Sequence, residues 1–218
     1  MSVEDVIKFR NEFNQKYPLG FYSGYLHYFS NVIFAGGLSL YGLFHLHDLK
    51  TIQLLAIPIA FIFASLVEYI AHRFVLHVRL KYFPIAYIEH TLMHHFYFTD
   101  EHYELENSRD FHRVLFKPYA VFIFLILIAI PNSYILSLFL GNNVGLLTFA
   151  TSCAYFLMYE TFHLFYHLEK THLVYKIIPG LSFLREHHRL HHRISIMHKK
   201  NFGIILPLFD KIFKSQLP

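Results

Sequence analysis

The chain has 218 residues, of which 55% are hydrophobic and only 16% are charged. An ordinary soluble domain carries about 25% charged residues, so this composition excludes that class and favours a single integral membrane unit. The formal charge of +4 does not indicate a nucleic-acid partner, because the basic residues flank apolar segments and form no stripe interleaved with aromatic residues. Anionic lipid headgroups are the expected partners of these cations.

Four apolar segments are long enough to cross about 30 Å of hydrocarbon as helices. They cover residues 28–44, 52–70, 119–140 and 144–162. The links at 45–51 and 141–143 are short, whereas the middle link at 71–118 is long and polar. The sequence therefore predicts an all-α membrane protein with four transmembrane helices in two hairpins. Residues 1–27 are predicted to form an amphipathic N-terminal segment, and residues 28–218 the membrane domain.

The basic residues are distributed very unevenly about these segments. Of the 19 lysines and arginines, 18 fall on the side of the termini and the long link, and only Lys50 falls on the other. By the positive-inside rule, the side with 18 is cytoplasmic. We therefore expect a multi-pass protein with both termini at the cytoplasmic face. The alternative is that one or more segments are buried helices of a soluble core, or a re-entrant pair.

Histidines are concentrated in four clusters that follow the second and fourth apolar segments. Imidazole is the commonest protein ligand for borderline transition metals, and the single cysteine, Cys153, lies inside an apolar segment and offers no thiolate site. One cluster alone would more often be an interfacial pair, but four on one membrane side indicate metal binding. Ten ligands exceed the needs of one ion, so we predict two metals. The ten residues are His72, His77, His90, His94, His95, His163, His167, His188, His191 and His192.

Helical spacing predicts which of these histidines face the same way. On an α-helix, residues four apart are separated by about 40° in projection and residues five apart by about 140°. The spacing therefore pairs His163 with His167, and it turns His72 away from His77. It also groups His188, His191 and His192 on one face, and pairs His90 with His94 while His95 points elsewhere.

Other polar residues near the clusters are candidates for supporting roles. Glu68 and Glu160 lie near the ends of apolar segments, where an acid is costly unless paired, so we expect hydrogen bonds to metal-bound imidazoles. The alternative partners of these acids are Arg73 or water. We interpret His27, His45 and His47 as interfacial side chains. Four isolated histidines are candidates for supporting or channel-lining roles: His102, His112, His172 and His198.

The clusters resemble the histidine boxes of the fatty acid hydroxylase/sterol desaturase superfamily, which have the forms HX3–4H and HX2–3HH. The matching boxes run from His72 to His77, from His90 to His95, from His163 to His167 and from His187 to His192. Asn201 to Gly203 and the stretch 208–213 extend the resemblance, which covers about residues 52 to 214. Within the superfamily, the boxes most resemble those of fatty acid and sphingolipid 2-hydroxylases and their small bacterial relatives.

This resemblance implies a four-helix membrane enzyme with a histidine-rich helical cap at the cytoplasmic face. The cap would hold two iron ions, with zinc as an alternative occupant, and would hydroxylate a lipid C–H bond with O2 and two electrons. The ten histidines would be the ligands, and His187 and Asp210 would join Glu68 and Glu160 as supporting residues. Two features depart from the usual pattern: three residues separate His90 from the pair at 94–95, and the chain lacks the usual Phe-Gly-Thr near its end.

The expected partners are a membrane lipid and a separate electron carrier. Residues 1–27 are too few for the haem-binding domain fused to some sphingolipid hydroxylases, so we expect a b-type cytochrome, or a ferredoxin with its reductase, to supply electrons. A desaturase or a carotenoid hydroxylase would use the same site. A redox-inert zinc protein, structural or hydrolytic, is the alternative from another class, since zinc prefers four ligands. A metal transporter is disfavoured because no segment carries polar ligands through the bilayer.

Overall fold

A computed structural model describes residues 2–217, and this range contains helices but no strand. Residue 1 of the predicted segment 1–27 and residue 218 of the predicted segment 28–218 lie outside the described residues. Four long helical stretches form the body of the molecule. They are α2 (Gly24–Phe44), α3 (Ala56–Ala71), the consecutive pair α7 (Pro118–Phe124) and α8 (Ile130–Leu140), and α9 (Asn142–Tyr166).

Each of the four apolar segments predicted from the sequence coincides with one of these stretches. Among the described residues, two helical stretches are long and apolar enough to cross a membrane by length and composition, Thr51–Leu76 and Ser108–Leu140. Their outer surfaces are apolar: Ile59 is 63% exposed and Leu138 is 64% exposed. Large apolar side chains exposed in such numbers indicate a lipid surrounding rather than water. The protein is therefore membrane-associated.

Helix α9 is the central element, and it packs against α2, α3 and α8. The turn between α8 and α9 is Gly141, whose φ of +92° is a conformation that favours glycine. One turn later, Gly145 lets the two helices approach closely, because a Cβ there would lie 2.7 Å from the carbonyl oxygen of Ser133. Small residues at such contacts are typical of helices that pack within a membrane.

Shorter helices cover one end of this bundle and form the cap. They are α4 (Pro84–Tyr87), α5 (His95–Tyr97), α6 (Phe111–Val114), α10 (Val174–Ile177), α11 (Leu181–His191) and α12 (Leu208–Ile212). Two 3₁₀ turns lie at Thr51–Leu55 and Ser108–Asp110. All four histidine boxes lie in the cap or at its junction with α3 and α9.

Three segments are π-helical, His72–Leu76, Ile88–His94 and Leu125–Ala129. The third directly precedes Pro131 in α8. Proline lacks an N–H and its ring crowds the carbonyl one turn earlier, so a wider turn relieves the backbone there. The first two contain histidine boxes. π-helical turns occur mostly as single turns and are frequent at functional sites. Their coincidence with the boxes therefore indicates that the functional site lies at this end of the molecule.

The amphipathic segment predicted at the N-terminus forms α1 (Val3–Lys16), which begins with a capping box at Ser2 and Asp5. This helix belongs to the fold, because its Arg10 side chain is only 2% exposed. The Arg10 guanidinium donates to the carbonyl oxygen of Tyr97 at 2.6 Å and to that of His102 at 3.2 Å. It also pairs with Glu106 at 2.8 Å. Helix α1 is thus fixed to the segment 97–106 of the cap.

Candidate metal centre

The ten predicted ligands form two groups of five buried histidines. In each group, one imidazole nitrogen from every member lies within 4.8 Å of the others. The first cluster consists of His72, His77, His90, His95 and His191, and the second cluster consists of His94, His163, His167, His188 and His192. The two clusters are adjacent, since the rings of His95 and His192 stack with their centroids 4.2 Å apart. No other group of three or more candidate ligands is found in residues 2–217.

The grouping corrects two pairings predicted from α-helical spacing. His72 and His77 were expected to diverge, and His90 was expected to face the same way as His94. Instead His72 joins His77, and His90 joins His95, in the first cluster. The reason is that both boxes run through π-helical segments. Hydrogen bonds from i to i+5 widen the turn, and this wider turn lets residues five apart lie on the same side of the helix.

The box in α11 is divided between the clusters. His188 and His192, four apart, face the second cluster, while His191 faces the first. The predicted triple of His188, His191 and His192 is therefore wrong in placing all three at one metal. The predicted pairing of His163 with His167 on α9 is confirmed, because both lie in the second cluster. The segment containing His90, His94 and His95 likewise serves both clusters.

Backbone carbonyls orient the imidazoles of the first cluster. The Nδ1 of His72 donates to the Phe202 carbonyl at 2.5 Å, and the Nδ1 of His191 donates to the Lys200 carbonyl at 2.7 Å. The Nδ1 of His77 lies 3.2 Å from the Thr91 hydroxyl oxygen. That hydroxyl gives its own proton to the Leu76 carbonyl at 2.7 Å, so it must accept from His77. These bonds place the proton on Nδ1 and leave Nε2 with a free lone pair.

The second cluster is held in the same way by carbonyls from other parts of the cap. The Nδ1 of His94 donates to the Arg113 carbonyl at 2.7 Å, and that of His167 donates to the Tyr103 carbonyl at 2.8 Å. The Nδ1 of His192 donates to the Phe98 carbonyl. The sequence does not identify these partners, since every residue has a carbonyl. Only Thr91, the neighbour of His90, binds an imidazole through its side chain and could have been recognised as a partner from its residue type.

The nitrogens that face inward fit a metal cation and little else. Burial lowers the pKa of His94 to about 3 and the pKa of His191 and His192 well below the usual value, so these rings are neutral. The Nε2 atoms of His94 and His192 lie 3.1 Å apart, and those of His77 and His191 lie 2.9 Å apart. Since all four carry their proton on Nδ1, each contact joins two lone pairs without a hydrogen between them. A cation bound by both atoms turns this repulsion into attraction.

The two buried glutamates have partners other than the clusters. Glu68 accepts from the Tyr155 hydroxyl and from the backbone N–H of Ile204. Glu160 accepts from the Asn31 side chain at 2.9 Å and from the Phe116 N–H at 3.1 Å. Neither acid hydrogen-bonds to a cluster imidazole among the bonds of residues 2–217, and neither pairs with Arg73. Both predicted partners of these acids, an imidazole and Arg73, are thus wrong, and the acids instead join helices and loops around the clusters.

Asp210 supports the first cluster through the backbone. Its carboxylate accepts from the N–H groups of Phe202 at 2.9 Å and Gly203 at 2.6 Å, and from the Ser215 hydroxyl at 2.7 Å. His187 lies 3.3 Å from the same carboxylate and is not part of a cluster. Because the carbonyl of Phe202 binds His72, Asp210 fixes the position of a cluster imidazole without touching it.

The remaining histidines lie outside the clusters. His198 donates from Nδ1 to the His77 carbonyl at 3.1 Å, and its ring lies 5.3 Å from that of His77 in the first cluster. His102 lies 3.2 Å from Glu106, and His27 lies 3.1 Å from the Phe116 carbonyl. Four others take no part in either cluster, and one of them, His112, lines the cavity described next: His45, His47, His112 and His172.

A largely apolar cavity of about 630 Å³ reaches both clusters. Its wall includes His72 and His90 of the first cluster and His94 and His163 of the second. The rest of the wall is formed mainly by apolar side chains of α3, α7, α9 and the segments between the long helices. A cavity of this size is typical of sites for small ligands. Its lining suits a hydrocarbon chain and brings that chain to the inward-facing nitrogens.

Two known proteins resemble this chain. Fatty acid 2-hydroxylase of Mus musculus is 26% identical over 164 residues, which are 72% of this chain and 38% of the mouse protein. The structure of full-length Scs7p, in which only the hydroxylase domain is visible, matches with a TM-score of 0.55 and 22% identity over 88% of this chain and 65% of that one. The chain thus spans less than half of the mouse protein. No family model matches the sequence.

The similarity in sequence to a hydroxylase and the shared fold agree with the two histidine clusters of the cap. This chain is thus similar in sequence to a fatty acid 2-hydroxylase and similar in fold to the hydroxylase domain of Scs7p.

Proposed function

We propose that this protein hydroxylates a C–H bond of a lipid chain, using O2 and two iron ions held by the two histidine clusters. The observation that carries the proposal is the cavity, because a single apolar space touches histidines of both clusters. A hydrocarbon chain inside it would lie against the metal centre. The hydroxylase name of the mouse relative supports the same class of reaction.

Bound iron would supply the reduction of O2 and the oxidation of the C–H bond. The residues of this chain do the rest. The carbonyls of Phe202, Lys200 and Arg113 hold the imidazole protons on Nδ1, which keeps the Nε2 lone pairs directed at the ions. Apolar side chains such as Phe63 and Phe156 would bind the chain and exclude water from the reacting carbon.

The proposed topology follows the sequence analysis. The four helical stretches would span the bilayer as two hairpins, with both termini and the metal centre at the cytoplasmic face. A separate carrier, a b-type cytochrome or a ferredoxin with its reductase, would bring the two electrons. Cysteine-accessibility labelling at positions 50 and 176 tests the orientation. Labelling of both positions from the same side would contradict it.

A zinc protein is the weaker reading of the site. Each cluster offers five imidazoles, whereas structural zinc takes four ligands in a tetrahedron. A purely structural site also does not require an apolar cavity that reaches its ligands. A desaturase would use the same residues and differs only in outcome, because removing a second hydrogen leaves a double bond while hydroxylation adds an oxygen.

The test is an activity assay on protein loaded with iron under anaerobic conditions. Fatty acids, ceramides, sterols and carotenoids are supplied with O2 and a reductase system, and the products are identified by mass spectrometry. We expect an O2-dependent alcohol from the wild-type protein and from His172→Gln, whose histidine is exposed, and no product from His94→Gln. Absence of any oxidised lipid in the iron-loaded wild type would refute the proposal, and loss of two hydrogens would identify a desaturase.

A further inference from the structure

Three charged residues lie together at the cavity wall beside the histidine clusters: Glu89, Arg113 and Lys117. The Lys117 ammonium is 2.5 Å from Oε1 of Glu89, and the Arg113 guanidinium is 4.0 Å from Oε2. Lys117 is 40% exposed and Glu89 is 29% exposed, so this group lies at a part of the wall that a headgroup can reach. One carboxylate therefore faces two cations, and this part of the wall carries net positive charge.

Arg113 is incompletely paired. Its side chain is only 7% exposed, and its distance of 4.0 Å to Glu89 is too long for a hydrogen bond. Its Nε has no partner among the described residues, and the guanidinium carbon stacks 4.0 Å over the ring of Phe13. A buried guanidinium is costly unless its donors are satisfied. Its planar fork matches the two oxygens of a carboxylate or phosphate.

The cavity wall continues from this group into apolar surface. On one side it follows the helical stretch from Lys117 to Asn132, which corresponds to about 22 Å of helix. The other acid on the wall, Glu68, is already bonded to Tyr155 and to the backbone of Ile204. An entering ligand thus meets two cations, one competing carboxylate and then hydrocarbon surface. This order of surfaces complements a single-chain lipid with an anionic headgroup.

We propose that Arg113 and Lys117 bind the oxyanion headgroup of the lipid substrate, and that Glu89 is the internal counter-ion which this headgroup displaces. This inference rests on the proposed function and specifies its substrate class. Glu89 is next in sequence to His90, and the Arg113 carbonyl binds His94. The headgroup would therefore lie close to both clusters, which leaves the first carbons of the chain against the metal centre and its far end deep in the bundle.

Equilibrium binding to the full-length protein, kept without O2 so that no turnover occurs, tests the inference. Tritiated stearic acid is displaced by unlabelled stearic acid, octadecyl phosphate or octadecanol, which share one chain. We expect both anions to compete about tenfold or more better than the alcohol, as loss of charge-assisted hydrogen bonds would require. The stronger of the two anions identifies the headgroup as carboxylate or phosphate.

Removing a cation and removing the carboxylate should change anion binding in opposite directions. Lys117→Met and Arg113→Met should abolish the preference for the anion while leaving the affinity for octadecanol unchanged, and Glu89→Gln should strengthen anion binding because the competitor is gone. Lys176→Met, which removes an exposed lysine that does not line the cavity, is the matched control. Lys117 is exposed enough for its variant to fold even if Arg113→Met does not.

Equal competition by acid, phosphate and alcohol in the wild type would overturn the inference, as would a loss in Lys117→Met that affects the alcohol equally. The result is distinguishable from a failure of the proposed function. An anion preference without any oxidised product would refute only the enzymatic activity, whereas oxidation of a neutral lipid without an anion preference would refute only the headgroup site.

Discussion

At the scale of single residues, each cluster is held by backbone carbonyls supplied by a different loop. The loop at 200–204 orients His72 and His191 of the first cluster. The segment 97–106 orients His167 and His192 of the second cluster. The buried side chain of Asp210 binds the first loop, and the buried side chain of Arg10 binds the second. The two clusters therefore have separate supports, and each support can be removed alone.

Replacing Asp210 with Asn should empty the first cluster selectively. The amide keeps one acceptor oxygen but places a donor against the N–H groups of Phe202 and Gly203. We expect a loss of about 2 kcal/mol of stability and about one bound ion fewer per chain by mass spectrometry of total metal. Asp100→Asn, which breaks only the partly exposed pair with Arg193, is the control. Retention of both ions by Asp210→Asn would contradict this assignment.

Arg10→Met should act on the second cluster instead. The change leaves the carbonyls of Tyr97 and His102 without their donor, so the segment that holds His167 and His192 loosens. Metal content should again fall by about one ion, and stability by about 2 to 3 kcal/mol. The control is Lys8→Met on the same helix, where the side chain is 76% exposed. If Arg10→Met kept a full metal complement, helix α1 would have no part in the centre.

At the scale of elements, the two π-helical segments are what the sequence did not predict. The apolar segments were recognisable because length and hydropathy suffice to define a membrane helix. The membership of ten histidines in one centre was also predictable, since they follow two of those segments. The pairing was not, because spacing was interpreted with α-helical geometry. A π-turn depends on tertiary packing and leaves no mark in the periodicity of so short a stretch.

The role of Arg10 was missed for a related reason. Its position on an amphipathic helix predicts a solvated charge, and nothing local indicates that carbonyls of the segment 97–106 would surround it. Glu68 and Glu160 were recognised as buried acids, yet their partners Tyr155 and Asn31 come from other helices. Contacts between distant parts of the chain thus account for most of what the sequence left open.

Changing the length of the first box separates helical geometry from ligand identity. Deleting Val75 leaves His72 and His77 four positions apart, which an ordinary α-helix places on one face. The deletion variant should therefore keep its first ion, with α-helix replacing the π-turn. Inserting one alanine after Val75 separates the ligands by six positions, which neither helix aligns, and should lose that ion.

Total metal content after desalting measures both variants. The chain after His77 enters a loop at 78–83, so a change of one residue is absorbed there and does not propagate. Loss of the ion in the deletion variant as well as in the insertion variant would mean that the π-turn itself is required.

At the scale of the whole molecule, the buried imidazoles make the stability of the metal-free protein depend on pH. Burial lowers the pKa of His90, His95 and His188 well below the ordinary value of 6.5. The unfolded chain then binds protons in a range of pH where the folded chain does not. Stability is therefore complete above about pH 6.5 and falls as the pH drops below it.

Thermal unfolding of chelated protein in detergent, between about pH 7.5 and pH 5, tests this dependence. We expect the melting temperature to fall steeply with acid, and the slope to become shallower when His188 and His192 are both replaced with Gln. His172→Gln, which removes an exposed imidazole, should leave the slope unchanged. A melting temperature independent of pH in this range would contradict the burial of ten neutral imidazoles.

The central claim is that two separate five-histidine clusters each hold one ion, and counting iron in anaerobically reconstituted protein tests it most directly. We predict about two ions in the wild type, and about one each in His77→Gln/His191→Gln and His94→Gln/His192→Gln. Combining the four substitutions should leave none. A single ion in the wild type, or loss of all iron from either double variant, would contradict the account.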